Sequence, residues 1–372
     1  MRVLLIVYGS LETLSGGYLY DRTLVRRLES EGHEVQVYSQ TNRTPYLANL
    51  AGNTDSYLIR KAVAWKPDVI VEDELNHPSL FLINRILGRR VPAPRIGLVH
   101  HLKSIEEGPA LEQAAARFME KSFLAGLDGY IFNSEFTRTS VETALGSSSG
   151  AQIQARSQAL GKPFVVALPG KDRLAGLSAP GASSGREGGA LRLLFLGNVI
   201  PRKGLHLLIT ALGRIAARPW SLSIAGGEDP GYGARIRSQI RDSGLESRVA
   251  WLGVVEDAEL PGIFRNHDAL TVPSQCEGFG IVYAEALSFG LPVIAGELGG
   301  ARELVNSGEN GFLIRWGDDE GLAGRLAQLI DSPELLAAMS RNAREKAEVL
   351  PTWDDSMGKI VQFLTSLARH TA

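Results

Sequence analysis

The sequence predicts an α/β protein built from two doubly wound, Rossmann-like halves. Short apolar runs alternate with helical patterns along the chain, and the strand candidates read as uninterrupted buried segments. The alternation breaks once, at a stretch rich in Gly, Ser, Ala and Pro, and then restarts. The 372 residues are 44% hydrophobic and 22% charged, which supplies enough apolar surface for real cores and excludes a largely disordered chain. A formal net charge of −2 excludes a global basic field that would gather nucleic acid. Cys276 is the single cysteine, so intrachain disulfides and multi-cysteine zinc sites are excluded and a reducing compartment is expected.

In the first half, strands are expected at Val3–Val7, Glu34–Tyr38, Val69–Val71, Arg95–Val99, Gly129–Phe132 and Phe164–Ala167. Helical spacing covers Tyr18–Glu31, Ser79–Leu87, Leu111–Phe123 and Arg138–Leu145. The apolar run after Met1 is too short for a secretion signal or a membrane span and reads as a buried strand. A cytoplasmic protein is expected, at most peripheral at the inner membrane face. Gly170–Ala190 has linker composition. Strands then resume at Leu191–Leu196, Ser221–Ala225, Val249–Leu252, Ala269–Val272, Pro292–Ala295 and Gly311–Ile314. Helices are expected at Gly204–Ala217, Ala234–Ser243, Gly280–Phe289 and in two stretches to about Ala347, with an amphipathic Asp354–Arg369 after Pro351. The organisation is therefore 1–170, a linker 171–190, a second domain 191–350 and a terminal helix in 351–372. Ligands of open parallel sheets bind beyond the carboxyl ends of the strands, which makes a deep cleft between the two sheets the default site.

The densest chemical signal runs from Ala269 to Gly311. A strand ends at Pro273, a glycine-containing loop with Glu277, Gly278 and Phe279 follows, and a helix opens near Gly280 with Glu285 in its early turns. Amides at such a helix start suit an anion. A carboxylate accepts two hydrogen bonds, so Glu285 suits a ribose diol and Glu277 a sugar; the plain alternative is a helix cap and a solvated charge. Upstream, Gly197-Asn198 leads to Pro201-Arg202-Lys203-Gly204, in which a guanidinium fork and a mobile ammonium suit a diphosphate. Downstream, Gly299-Gly300 offers backbone able to approach a ligand closely.

Together these motifs closely resemble the family-4 retaining glycosyltransferases of GT-B fold, from Leu191 to about Leu350. The resemblance also takes in Leu-Ser-Ile-Ala-Gly-Gly at 222–227, Gly-Leu-Pro-Val-Ile at 290–294 and Gly-Gly-Ala-Arg-Glu-Leu-Val at 299–305. It implies transfer of a sugar from a UDP- or GDP-sugar, used as co-substrate, to a hydroxyl of a glycan, lipid or small molecule. It further implies retention of configuration, with no metal and no separate cofactor. Arg202 and Lys203 would bind the pyrophosphate and Glu285 the ribose. Glu277 would meet the donor sugar, supported by amides around Phe279, Gly280 and Ile281. Asn198 departs from the pattern, since the family often has Arg directly after the first glycine of that loop; Arg202 would supply the guanidinium.

In the first domain the resemblance rests on two places. Gly16-Gly17 after the first strand matches the family's Gly-Gly loop, and His100 at the end of Arg95–Val99 matches its sugar-facing histidine, with His101 in reserve. Glu72, Asp73 and Glu74, followed by His77, are acceptor-side candidates, with solvated loop charges the favoured reading. Cys276 reads as a small buried residue. Phe118, Met119 and Phe123, flanked by Arg117 and Lys121, fit a peripheral membrane surface on the first domain, with an ordinary core face favoured. The resemblance would also carry Asp354–Arg369 back onto the first domain. Competing functions are a GT-B-like sugar-nucleotide epimerase or phosphorylase, and a catalytically silent sugar-nucleotide-binding protein.

Overall fold

The computed structural model describes residues 1–146, 160–175 and 189–369. They form two units, one made by the chain up to Pro169 and from Trp353 onward, the other by Gly170–Thr352. In the first, strands β1 (Arg2–Tyr8), β2 (Glu34–Gln40), β3 (Val69–Asp73), β4 (Arg95–Val99), β5 (Gly129–Phe132) and β6 (Phe164–Val166) make one parallel sheet in the order β2-β1-β3-β4-β5-β6. Its helices are α1 (Gly16–Ser30), α2 (Ser56–Trp65), α3 (His77–Leu80), α4 (Ile83–Arg90), α5 (Ala110–Gly126) and α6 (Glu135–Ala144).

The second unit repeats the plan with β7 (Leu191–Leu196), β8 (Trp220–Ala225), β9 (Val249–Gly253), β10 (Ala269–Val272), β11 (Val293–Gly296) and β12 (Gly311–Ile314), ordered β12-β11-β10-β7-β8-β9 and again parallel. Helices α7 (Leu205–Arg214), α8 (Pro230–Asp242), α9 (Leu260–Arg265), α10 (Ile281–Ser288), α11 (Ala301–Leu304), α12 (Asp319–Asp331) and α13 (Pro333–Glu348) complete it. The last helix, α14 (Trp353–Arg369), belongs to the first unit, where Trp353 meets Tyr20 edge-on at 5.7 Å and Asp354 pairs with Arg27.

Strands packed on both faces need apolar side chains on both faces, which explains the unbroken runs. Leu4, Ile6, Ile70, Val99, Tyr130 and Phe132 are buried in one core. Leu193, Phe195, Ile224, Leu270, Val272 and Ile294 are buried in the other unit. Side-chain caps fix helix starts: Ser15 Oγ accepts the Tyr18 N–H at 3.3 Å, and Asp229 accepts that of Tyr232 at 2.7 Å. In each sheet the strand order reverses beside the first strand, between β1 and β3 and between β7 and β10. Ligands of doubly wound sheets bind at such switch points. Among the described residues, no helix is long and apolar enough to cross a membrane.

Four expectations change. Strand β3 runs on to Asp73, because Glu72 and Asp73 pair with Gly97 and Leu98 of β4; Glu72, Asp73 and Glu74 are therefore fully buried and not solvated. The single helix expected over Ser79–Leu87 is two, α3 and α4, separated at Phe81–Leu82. On α5, Met119 and Phe123 face the core, whereas Phe118 is 65% exposed. Residues 170–175 do not behave as linker: the Lys171 N–H donates to the Pro351 carbonyl at 3.0 Å and Leu174 is buried. The rest of the expected linker, 176–188, lies outside the described residues. The segment from Tyr46 to Trp65, given no element from the sequence, forms a 3-10 stretch and α2.

Candidate functional site

The first unit gathers polar groups at the carboxyl ends of β1, β3 and β4. Beyond β1 the chain turns through Ser15 into α1, and Gly17 lies against His100: a Cβ there would stand 3.4 Å from the His100 Cδ2. Gly16, beside it, is exposed. His100 follows β4 directly, its Nε2 3.0 Å from Asp21 Oδ1 and its ring edge-on to Tyr20 at 5.4 Å. Its carbonyl accepts from Asn133 Nδ2 at 3.1 Å. Burial disfavours a charge on His100, but Asp21, Asp73 and Glu74 outweigh it and push the imidazole up to about 9. At neutral pH His100 is thus a cation paired with Asp21. His101 turns elsewhere, to Glu106 at 3.4 Å.

The buried acids form a proton-rich layer beneath this histidine. Burial pushes Glu72 up to about 7, against a hydrogen bond from Asn84 Nδ2 at 2.5 Å. Burial and then Asp21 raise Asp73, while burial raises Glu74 to about 8 and Glu120 to about 7. Among the described residues, two groups have atoms close enough to hold a cation, Asp21–Asp73–His100 and Glu74–His77–Glu120. In the second, His77 Nδ1 faces the Glu74 carbonyl at 2.9 Å and Nε2 the Tyr46 hydroxyl at 2.5 Å. In the second group both His77 ring nitrogens are engaged, and in the first Nε2 of His100 faces Asp21, so both groups form buried hydrogen-bonded networks.

The second unit places its charges beyond β7 and β10, at the switch point of its own sheet. After Gly197 and the exposed Asn198, a 3-10 turn at Pro201–Lys203 ends on Gly204, which caps α7 with φ of 73°. Lys203 Nζ stands 2.6 Å from Glu277 Oε1, and Arg202 reaches the same oxygen at 3.3 Å and the Cys276 carbonyl at 2.7 Å. Burial alone would raise the Glu277 carboxyl, but Lys203 and Arg202 reverse that and bring it down to about 2. Burial also lowers Lys203, with Glu277 opposing. Cys276 is buried, as a small apolar residue would be.

Glycine shapes the following turn. Gly280 caps α10 at φ of 92°, where a Cβ would come 2.2 Å from the Tyr283 ring. Phe279 is buried, so this loop presents its backbone and not the aromatic ring, and Ile281 opens the helix. Gly299 and Gly300 approach this same loop closely: the Gly300 N–H donates to the Glu277 carbonyl at 2.9 Å, and a Cβ on Gly300 would sit 2.3 Å from the Gly278 carbonyl oxygen.

Glu285, 3% exposed, does not meet the basic pair. Its Oε1 accepts from Arg173 Nε at 2.6 Å, and Arg173 also pairs with Asp257. Sequence reasoning missed Arg173, because the Gly- and Ser-rich run after it masks a fixed turn. Asp21 was also missed, although Tyr20, Asp21, Leu24 and Leu28 share a buried helix face and a charge there marks an unusual position.

Two parallel Rossmann-like sheets, with glycine loops, helix starts and paired charges at their carboxyl ends, define the GT-B class of fold. Residues 182–346 match the family of glycosyl transferases group 1. The D-inositol 3-phosphate glycosyltransferase of Rhodococcus erythropolis is 29% identical over 256 residues, 66% of this chain and 55% of that protein. A GDP-mannose-dependent alpha-(1-6)-phosphatidylinositol monomannoside mannosyltransferase of Mycobacterium tuberculosis is 33% identical over 178 residues, 45% of this chain and 46% of that one. The chain thus spans about half the length of these relatives. The crystal structure of Anabaena HepE in complex with UDP and glucose superposes with a TM-score of 0.73 at 22% identity, over 98% of this chain and 100% of that one.

Proposed function

We propose that this protein is a retaining glycosyltransferase that moves a sugar from a UDP- or GDP-sugar to a hydroxyl acceptor. The observation that carries the reading is the convergence of Lys203 and Arg202 on Glu277, beside the glycine-capped start of α10. Breaking the bond at the anomeric carbon leaves negative charge on a diphosphate, so stabilising that charge is the principal catalytic task. Arg202 and Lys203 supply preorganised cations for it, and the Gly280 and Ile281 amides add the positive end of a helix. Glu277 then exchanges its cations for the incoming diphosphate and turns to the donor sugar, while Glu285 takes the ribose hydroxyls. Gly16 and Gly17 leave room for the donor, and His100, as a cation, orients the transferred sugar. Asn198 stays at the loop edge.

Relatives named for inositol phosphate and phosphatidylinositol mannoside support an acceptor rich in hydroxyls. Leu111, Arg117, Phe118 and Lys121 lie exposed on one face of α5, an apolar stripe with cations that supports peripheral docking on anionic lipid. Co-sedimentation with anionic liposomes tests the docking, and a Phe118→Glu protein that sediments like wild type would count against it.

The activity is tested by supplying labelled UDP-, GDP- and ADP-sugars with inositol phosphates or phosphatidylinositol mannosides and following the product's anomeric configuration by NMR. An α-linked product from an α-linked donor is expected. Replacing both Arg202 and Lys203 by alanine should lower kcat/KM by about 100-fold or more. Unchanged turnover in that double variant overturns the reading.

A further inference from the structure

The segment that leads the chain into the second unit carries a side chain aimed at the proposed ribose site. Arg173 stands on a turn pinned from both sides: Lys171 donates its N–H to the Pro351 carbonyl and its Nζ to the Ala347 carbonyl at 2.8 Å, and Leu174 is buried. From that fixed backbone Arg173 places Nε 2.6 Å from Glu285 Oε1 and directs Nη1 to the carboxylate of Asp257. Asp257 lies in the loop after β9 with its side chain 65% exposed, whereas the Glu285 side chain is 3% exposed. The guanidinium therefore bridges a solvated acid and a buried one. Its planar fork fixes the direction in which the Glu285 carboxyl faces, a constraint that a flexible ammonium would not impose.

We propose that Arg173 is a positioning residue for Glu285, orienting that carboxylate for the two hydroxyls of a nucleotide ribose. The inference rests on the glycosyltransferase reading, because the ribose is what Glu285 would hold. A carboxylate grips a diol best when both oxygens accept, and a protonated carboxyl loses one acceptor. Burial raises the Glu285 carboxyl and it stays above its ordinary value, although Arg173 pulls it down, with Asp257 raising it again more weakly. Arg173 and Asp257 are the charged groups that face Glu285 from the elements around it. Glu285 is the fifth residue of α10, beyond the turn over which the helix start favours an anion, so the arginine carries the compensation.

The test compares UDP and GDP with their 2′-deoxy forms by calorimetric titration between pH 5.5 and 8.5, with thermal melts as a folding control. In the wild type, the ribonucleotide should bind more tightly than the deoxy form, with little pH dependence. Arg173→Gln should weaken the ribonucleotide about tenfold at pH 6, erase most of the preference for ribose, and recover part of both as pH rises. Arg173→Lys keeps the charge without the fork; it should hold the flat pH profile while losing part of the ribose preference, and it serves if the glutamine variant does not fold. Glu285→Gln sets the reference by abolishing the preference at every pH. If Glu285→Gln abolishes the preference while both Arg173 variants keep the wild-type preference and pH profile, Arg173 has no positioning role. If Glu285→Gln itself keeps the preference, the ribose-clamp reading falls first and this inference with it.

Discussion

Replacing Glu277 by glutamine removes a carboxylate on which Lys203 and Arg202 converge, at 2.6 and 3.3 Å, and leaves both cations in place. In the folded protein this carboxyl is brought down to about 2 from an ordinary 4.5, despite burial that opposes it. The gap corresponds to about 3 kcal/mol. Because the folded value is the lower one, this contribution is complete above pH 4.5 and is lost as pH falls through 2. At pH 7 the variant should therefore lose all of it, in line with the cost of breaking a buried pair. For a unit of this size that is a drop in Tm of roughly 6–12 °C. The uncompensated cations should then gain more than wild type from a ligand that brings its own negative charge. Scanning calorimetry at pH 7, with and without UDP or GDP, reads both effects; the free nucleotide avoids any contact Glu277 makes with a sugar. A variant that melts with the wild type, or that gains less from the nucleotide, would refute the argument that Glu277 neutralises Arg202 and Lys203.

Asp21→Asn should remove the strongest favourable influence on the His100 cation, so that its imidazole, followed by NMR, titrates well below the wild-type value of about 9; an unchanged titration would refute the pairing. The folded values of His100, Glu72, Glu74 and Glu120 all lie above their ordinary ones, so the first unit's stability from these groups is fullest at low pH and is lost as pH rises through about 7 to 9. Chemical denaturation at pH 5.5 and 9 should find that unit weaker at pH 9, and equal or greater stability at pH 9 would contradict it. Gly300→Ala drives a methyl into the Gly278 carbonyl and should cost about 1–3 kcal/mol together with nucleotide binding. Gly324→Ala, on the exposed face of α12 with open space around it, should instead stabilise by about 0.5–1 kcal/mol and leave binding unchanged, which urea titration of both variants would check.

The sequence by itself determined the two-sheet architecture, because strands covered on both faces must be continuously apolar and the helices between them must be amphipathic. Ala269–Val272 and Gly311–Ile314 were legible to the residue for that reason. It also determined which short runs carry chemistry: Arg202-Lys203-Gly204, Glu277 to Glu285, and His100 stand where strands end, and strand ends are visible as the edges of apolar runs. What only the tertiary structure decided is which charge faces which. Local spacing carries no information about partners such as Asp21 for His100, 79 residues away, or Arg173 for Glu285, 112 residues away. Burial is likewise a property of what packs against a side chain. Glu72, Asp73 and Glu74 read as solvated in a row of letters, and became buried acids only when β4, β1 and α5 closed around them.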